Sequence, residues 1–549
     1  MTDRQSVVVA GAVWLGAWWH VSVPLAVGVA GLVVALALRR PWLLAVAGLT
    51  LAAGLGTRAW AGLDPVAPAP FTGPVTLLSD PADTPFGVRV DVRVGDRRVE
   101  LEASGAAAGA VTASLAGERL IVSGRLGPPP PHAPWLVPRH VVGRLRATSA
   151  ERLDAGSAPW RAANRFRRLL GRGAEVLPQV ERSLYGGFVL GDDRGQPPEV
   201  VDDFRGAGLT HVLVVSGQNL AFVLVLLGPL LQRSSLGVRW ALTIAAIAAF
   251  GVVTRFEPSV LRASAMAALS VAAAWSGRPT GTLRLLALSV AGLLLVDPLL
   301  VHSVGFQLSV AASAGIAVLG PPIAAHLRGP AWWREAMSVT VAAQLGVAPV
   351  LVPRFGGLPV VALAANLVAV PVAGLVTTWG LPAGVVAGLG GPAVAHVAHL
   401  PTRLLIGWVA WVARVSASLP LGEVATGHLL LIVVAGVMAV QLGRRRPTWL
   451  RSRRLAEVLV AAVLLQPAFA LHRPPARTTV AGGSTVIRSE GATVLQLRGS
   501  PGVAALLQDL RRAGVRRIDV LRSTDEPDPD LLRALRHRWP VTHVVTSPG

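Results

Sequence analysis

Apolar residues run almost unbroken from Val7 to Leu38, longer than one ordinary membrane span, and His20 and Pro24 inside the run predict two short helices with a break between them. Arg39-Arg40-Pro41 follows, then a second apolar stretch from Trp42 to about Trp60. A cleaved leader over Val7–Trp19 is the competing reading, and the immediate continuation into further apolar helix argues against it. From Asp64 to about Arg146 the pattern changes. Val88-Arg89-Val90-Asp91-Val92-Arg93-Val94 alternates with period two, as a half-buried strand does. Val99 to Leu101 and Leu120 to Val122 predict further strands, with turns at Gly95-Asp96 and Gly117 and a stiff loop at Pro128 to Pro131. The expectation is a small β-barrel-like domain.

Between Trp160 and Leu190 the period becomes helical. Phe166, Leu169, Leu170, Leu177, Val180 and Leu184 fall roughly on one face, and Arg161, Arg165, Arg168 and Arg172 crowd the first half. This suits an amphipathic helix on a membrane surface; a solvated arginine face packed on its own protein fits equally. From Gly208 to about Leu471 apolar segments succeed one another, with expected spans at 208–231, 237–254, 259–275, 283–296, 304–320, 337–353, 358–378, 379–398, 402–419, 427–442 and 456–471. Gly380, Gly384 and Gly388 repeat every four residues, which permits close helix contact. After an arginine cluster at 444–454, the tail predicts two strands over Val480 to Leu497, a helix over Val503 to Ala513, a strand over Val515 to Leu521, a helix over Leu531 to Arg538 and a strand at His543 to Val545.

Composition supports a polytopic α-helical membrane protein with smaller soluble parts. Of 549 residues, 52% are hydrophobic and 15% charged, against about 25% charged in soluble domains. The net charge is +21, and every Lys+Arg position is arginine. Those arginines either flank membrane helices on the cytoplasmic side or neutralise a polyanion. Cysteine is absent, so disulfides and thiolate metal sites are excluded.

Placing Arg39-Arg40 in the cytoplasm by the positive-inside bias sends the next helix outward and puts the β domain outside. Placing the 444–454 cluster inside does the same for the tail. The arginines near 161–182 then lie on the outer surface, against the bias, where they suit the capture of an anion.

Polar groups interrupt the apolar region at Gly208-Leu209-Thr210-His211-Val212-Leu213-Val214-Val215-Ser216-Gly217-Gln218-Asn219-Leu220. On a continuous helix His211, Val215, Gln218 and Asn219 share a stripe, and Gly217 loosens the backbone. Such groups face either a partner helix, as a hydrogen-bonded cluster, or a water-filled cavity. Arg262, four residues after Pro258, either snorkels to the interface or lines a pore. Gln307, Gln344 and Asn366 add polar groups in other spans. His396 and His399 lack an acidic companion for zinc, and a phosphate-cradling loop ending in lysine is impossible without lysine. No cofactor, metal or catalytic residue is expected.

These motifs resemble, in order, those of the ComEC competence proteins. Gly208 to Leu220 is similar to that family's glycine, histidine and Ser-Gly motif. Pro258-Ser259-Val260-Leu261-Arg262-Ala263 resembles its PSVLRA segment, Asp297-Pro298 with Gly305-Phe306-Gln307-Leu308-Ser309 its DP…GFQLS segment, and Phe355-Gly356 with Ala365-Asn366-Leu367-Val368-Ala369-Val370-Pro371 its next stretch. Leu190-Gly191-Asp192-Asp193-Arg194 resembles its LGD turn.

The resemblance implies a channel for single-stranded DNA in the cytoplasmic membrane, used in natural transformation. Its path would run by His211, Ser216, Gly217, Gln218 and Asn219, with Arg262, Gln307 and Asn366 as secondary candidates. Arg161, Arg165, Arg168 and Arg172 would form a DNA-binding surface. The implied domains are N-terminal membrane helices (1–62), an extracytoplasmic OB-like domain (63–150), an arginine-rich helix and linker (151–207), the channel (208–471) and a truncated metallo-β-lactamase-like remnant (472–549). The last lacks the family's His-x-His-x-Asp-His motif: Arg522-Ser523-Thr524-Asp525-Glu526-Pro527-Asp528 stands where it would follow a strand, so no nuclease is expected. Implied partners are single-stranded DNA, the lipid bilayer, a separate motor or DNA-receptor protein, and further copies of the chain. The competing function is a transporter or exporter of another anion, with the soluble parts as docking modules.

Overall fold

The structure is a computed structural model, and it describes residues 1–84, 86–215, 217–277, 280–431, 434, 466–467, 475–489 and 491–546. Ser216, the arginine cluster 444–454 and most of the expected spans 427–442 and 456–471 lie outside the described residues.

The first apolar run is broken where expected. Helix α1 (Asp3–Trp19) starts in a capping box formed by Thr2 and Gln5 and ends at His20, whose φ of 35° reverses the chain. Helix α2 (Leu25–Leu38) and helix α3 (Pro41–Ala61) follow. Gly28 lets α2 and α3 touch through their backbones, since a Cβ there would lie 2.8 Å from the Leu51 Cα.

The β domain comprises β1 (Ala69–Leu77), β2 (Ala82–Thr84), β3 (Gly87–Val94), β4 (Arg97–Ala103), helix α4 (Gly105–Thr112), β5 (Arg119–Gly127) and β6 (Val141–Asp154). The alternating valines of β3 face inward: Val88, Val90 and Val92 are buried with Val99, Leu101, Leu120 and Leu145. The strand order is β1-β5-β6-β4-β3-β2, and β1 also pairs with β3. Only the β4–β6 pair within this sheet is parallel.

The single helix expected over Trp160 to Leu190 is two helices. Helix α5 (Ala158–Gly173) runs into a 3-10 turn, and Pro178 caps helix α6 (Gln179–Leu190). Their apolar residues do not rest on a surface. Leu170, Leu177, Leu184 and Tyr185 are buried in the main core with residues of α7 (Pro198–Gly206) and two later helices.

The membrane region continues through α8 (Gly217–Gln232), α9 (Leu236–Val253), α10 (Pro258–Trp275), α11 (Thr282–Val296), α12 (Val304–His326), α13 (Ala331–Phe355), β7 (Leu358–Pro359), α14 (Ala362–Ala398), α15 (Leu400–Ser418) and β8 (Glu423–Val424). Five segments among the described residues are long and apolar enough to cross a bilayer: Pro41–Ala61, Thr210–Pro229, Val304–His326, Ala331–Phe355 and Ala362–Ala398. The protein is thus a polytopic helical membrane protein with attached sheets.

Two segments are arranged otherwise than the apolar pattern alone outlines. No break separates 358–378 from 379–398: α14 runs straight through, and its non-helical residue is Gly391, with φ 81°. Its glycines serve packing instead. Tyr185 Oη donates to the Gly380 carbonyl at 2.9 Å, and a Cβ at Gly173 of α5 would lie 2.7 Å from the Gly384 oxygen. Its continuous part before Gly391, residues 362–390, spans roughly 44 Å, beyond a hydrocarbon core of about 30 Å. Nor do His211 and Asn219 share one helix. Thr210–Val212 is a 3-10 turn, and the α-helix begins only at Gly217.

The tail is an α/β unit of β9 (Arg477–Thr479), β10 (Thr485–Ser489), β11 (Ala492–Gln496), α16 (Val503–Arg512), β12 (Ile518–Ser523), α17 (Pro529–Arg538) and β13 (Val541–Thr546). Its strands are ordered β13-β12-β11-β10-β9, with β11–β12 and β12–β13 parallel. Leu506, Leu510, Ile518, Leu521 and Leu535 form its own core.

Candidate conduit site and its two docking junctions

The interruption at Gly208 to Asn219 builds a polar recess. The 3-10 turn at Thr210–Val212 and the first turn of α8 surround a cavity of about 50 Å³, which His211, Gln218, Asn219 and Thr377 line together with Phe188 and Phe222. His211 and Gln218 keep accessible surface, whereas Asn219 is buried. One acceptor ties three elements together: the Phe188 carbonyl at the end of α6 receives Asn219 Nδ2 at 2.8 Å from α8 and Thr377 Oγ1 at 3.2 Å from α14. A Cβ at Gly217 would lie 2.6 Å from the Ala263 side chain, so this glycine lets the start of α8 press against α10. The cavity suits ordered water, which needs about two to four polar partners. It is too small for a nucleotide.

The secondary candidates have local partners. Arg262 Nε donates to Ser309 Oγ at 2.8 Å, joining α10 to α12 beside Gly217. Gln307 Nε2 donates to the Val301 carbonyl at 2.6 Å and pins the 3-10 turn Pro298–His302. Asn366 Nδ2 donates to the Ala362 carbonyl at 2.7 Å and the Gly208 carbonyl at 3.3 Å, so it holds the entry to the recess. Gln307 does not line the cavity, nor do Arg262 and Asn366. Thr377 and Phe188 do, and their local sequence carries no motif; only the packing of α6 and α14 against α8 reveals them.

Arg161, Arg165, Arg168 and Arg172 are exposed along one side of α5. Arg168 pairs with Glu118 of the β domain, and Arg161 donates to the Gly156 carbonyl. Among the described residues Arg165 and Arg172 have no acidic partner. The arginine that organises this region is Arg167, on the opposite, apolar face of α5. Its guanidinium donates to the carbonyls of Leu190 and Val253, both at 2.9 Å, to Asp80 at 2.9 Å and to Asp192 at 3.0 Å. Asp80, on the loop after β1, also accepts from Arg255 at 2.9 and 3.0 Å and from the Ala116 N–H at 2.9 Å. Burial opposes ionisation of Asp80, but the two guanidiniums outweigh it and bring its pKa down to about 2. Arg255 also lies over the Trp160 ring, and its φ of 61° is left-handed. This network fastens the β domain to α5 and to the α9–α10 connection.

The tail is fastened through a second set of arginines. Arg538 donates to Asp203 of α7 at 2.7 Å, and His537 Nε2 lies 3.2 Å from the same carboxylate. Arg511 and Arg512 reach Glu423 at 2.9 and 3.0 Å, and Arg512 donates to the Phe355 carbonyl at 2.6 Å. Asp202 is buried with Arg511 at 3.6 Å and Arg538 at 3.9 Å, and neither of its oxygens accepts a hydrogen bond. Burial therefore raises its pKa above the usual carboxylate range, against the attraction of those arginines. Because α7 leads directly into Gly208 and the recess, the tail grips the segment that carries the candidate site. Among the described residues no group of three or more histidine or acidic side chains could hold a metal ion.

Residues 188–446 match the family model described as Competence protein. ComE operon protein 3 of Bacillus subtilis (strain 168) is 25% identical over 203 residues, an alignment covering 36% of this chain and 25% of that protein. The match thus spans a quarter of the relative's length. No solved structure matches. The recess, with its His211, Gln218 and Asn219, falls wholly inside the segment that is similar to the competence protein family.

Proposed function

We propose that the membrane region forms a conduit for single-stranded DNA across the cytoplasmic membrane, with the recess at His211, Gln218 and Asn219 on its path. The observation that carries this reading is a polar-lined recess between apolar helices at the point where a helix is interrupted. Polar groups at membrane depth are costly and line pathways. Passage of a strand then requires α8 to part from α6 and α14 by breaking the shared hydrogen bonds on the Phe188 carbonyl.

The β domain receives the strand on the outer side. Its pairings run β1–β5–β6–β4–β3 and back to β1, with α4 between β4 and β5, the connectivity of an OB-type barrel. Arg165 and Arg172 on the adjoining α5 contribute phosphate contacts. The tail acts as a docking unit, since both its helices engage α7 and its neighbours. A separate motor supplies the energy.

The experiment replaces Gln218 and Asn219 together by Leu in the native host and scores labelled DNA separately for surface binding and internalisation. The expected result is normal membrane insertion and binding with internalisation lost. Normal internalisation removes the recess from the path. Affinity of the full chain for single-stranded DNA should also fall steeply with rising salt.

A further inference from the structure

Helices α12 and α13 form a hairpin whose two halves pack differently. At Gly315 and Gly346 the backbones touch: a Cβ on either would lie within 2.9 to 3.0 Å of the other's Cα. Toward the connecting residues Leu327 to Pro330 a gap opens, and a Cβ at Gly320 would meet nothing within 4 Å. Gly320, Ala324, Ala325 and Ala331 supply too little side chain to fill the gap, and Pro321 and Pro322 remove backbone donors from that part of α12. An open cleft of about 400 Å³ remains, bordered by Ile316, Gly320 and Ala324 on one side and Arg334, Glu335 and Val339 on the other. That volume lies in the roughly 300–1,000 Å³ range of small-molecule sites.

Both helices are long and apolar enough to cross a bilayer, and the cleft lies between them. Trp332, 69% exposed, and Trp333 stand beside its mouth, as tryptophans do at a membrane interface. Arg334 is the unusual member. Its Nε is buried without a hydrogen-bond partner, and no carboxylate lies within ion-pairing distance among the described residues. A buried, unmet guanidinium donor at the rim of an apolar slot calls for an anionic oxygen.

We propose that this cleft binds one phospholipid. An acyl chain lies between Ile316, Gly320 and Ala324 and the opposing Val339. The phosphodiester accepts from Arg334, and the carboxylate of Glu335 on the same rim takes the headgroup amine, which selects phosphatidylethanolamine over phosphatidylglycerol. The site is independent of the conduit reading.

The test uses the full chain in nanodiscs with phosphatidylethanolamine carrying a photoactivatable acyl chain. Labelling should map to peptides within 316–339. Arg334→Gln should lower it about tenfold, the loss of roughly one charge-assisted contact. Ala324→Phe, which fills the slot, should abolish it, and Glu335→Gln should erase the preference over phosphatidylglycerol. A melting temperature matching the parent shows that each variant is folded; should Ala324→Phe fail that check, Arg334→Gln alone decides. Equal labelling of the parent and Arg334→Gln overturns the site and leaves ordinary lipid contact. Equal labelling by both lipids in the parent overturns the assignment to Glu335.

Discussion

Arginine and aspartate build both junctions of this protein, with opposite electrostatic results. Where the β domain meets the membrane region, every partner of Arg167 and Asp80 sits at hydrogen-bonding distance, and the carboxylate is held ionised with its pKa near 2. Where the tail meets α7, Asp202 has two arginines nearby but at 3.6 and 3.9 Å, without a hydrogen bond, and burial prevails. At Asp80 two guanidiniums at 2.9 to 3.0 Å, with the hydrogen bonds they donate, outweigh desolvation; at Asp202 the arginines are farther away and the carboxylate of Asp203 is beside it, so burial prevails.

The comparison can be broken most directly at Arg167. Arg167→Ala leaves Asp80 and Asp192 buried near fewer cations and should destabilise the chain by about 3–5 kcal/mol, read as a drop in thermal unfolding temperature in detergent. A loss below about 1 kcal/mol would place this junction with ordinary surface pairs. Arg538→Ala removes charge-assisted bonds to Asp203 and the Ala417 carbonyl and should cost about 1.5–3 kcal/mol. Faster protease cleavage between the membrane region and β9 would report the freed tail.

Asp202→Asn sharpens the contrast. It removes a carboxylate whose charge is poorly met, so stability should change by less than about 1 kcal/mol, whereas Asp80→Asn should destabilise clearly. Equal losses for the two variants would show that hydrogen bonding does not separate the junctions.

Acidity gives the smallest effect and separates the junctions by sign. The folded pKa of Asp80 lies below its unfolded value of 3.8, so its contribution is present above that value and fades as pH falls toward 2. Asp202 has a raised folded pKa, so its contribution is present below its unfolded value and is lost as pH rises through the folded pKa. Unfolding of the Asp80→Asn and Asp202→Asn variants across pH 2 to 7 should therefore diverge from the parent in opposite directions.

Much of the architecture was legible along the chain. The break at His20, the alternating strand at Val88 to Val94 and the tail elements all reflect local periodicity, which survives in any tertiary setting. The recess was legible as a cluster of polar residues, but its geometry was not. The 3-10 turn at Thr210–Val212 and the helix start at Gly217 place His211 and Gln218 on separate elements that line one recess. The stripe Arg161, Arg165, Arg168 and Arg172 was visible as exposed charge. Arg167 was overlooked, although its spacing from Ala163 and Leu170 puts it on the buried face; an arginine out of phase with its own polar stripe is the signal that finds it.

By itself the sequence determined the membrane-spanning class, the order of soluble and apolar parts and the location of polar residues within the apolar ones, since these depend on composition and short-range period. Only the tertiary structure decided which arginines are spent on carboxylates, which carbonyl gathers α6, α8 and α14, and where two helices leave a gap. Those outcomes depend on distances of a few ångströms between segments far apart in the chain, over which a hydrogen bond is made or lost and the balance between desolvation and charge attraction tips.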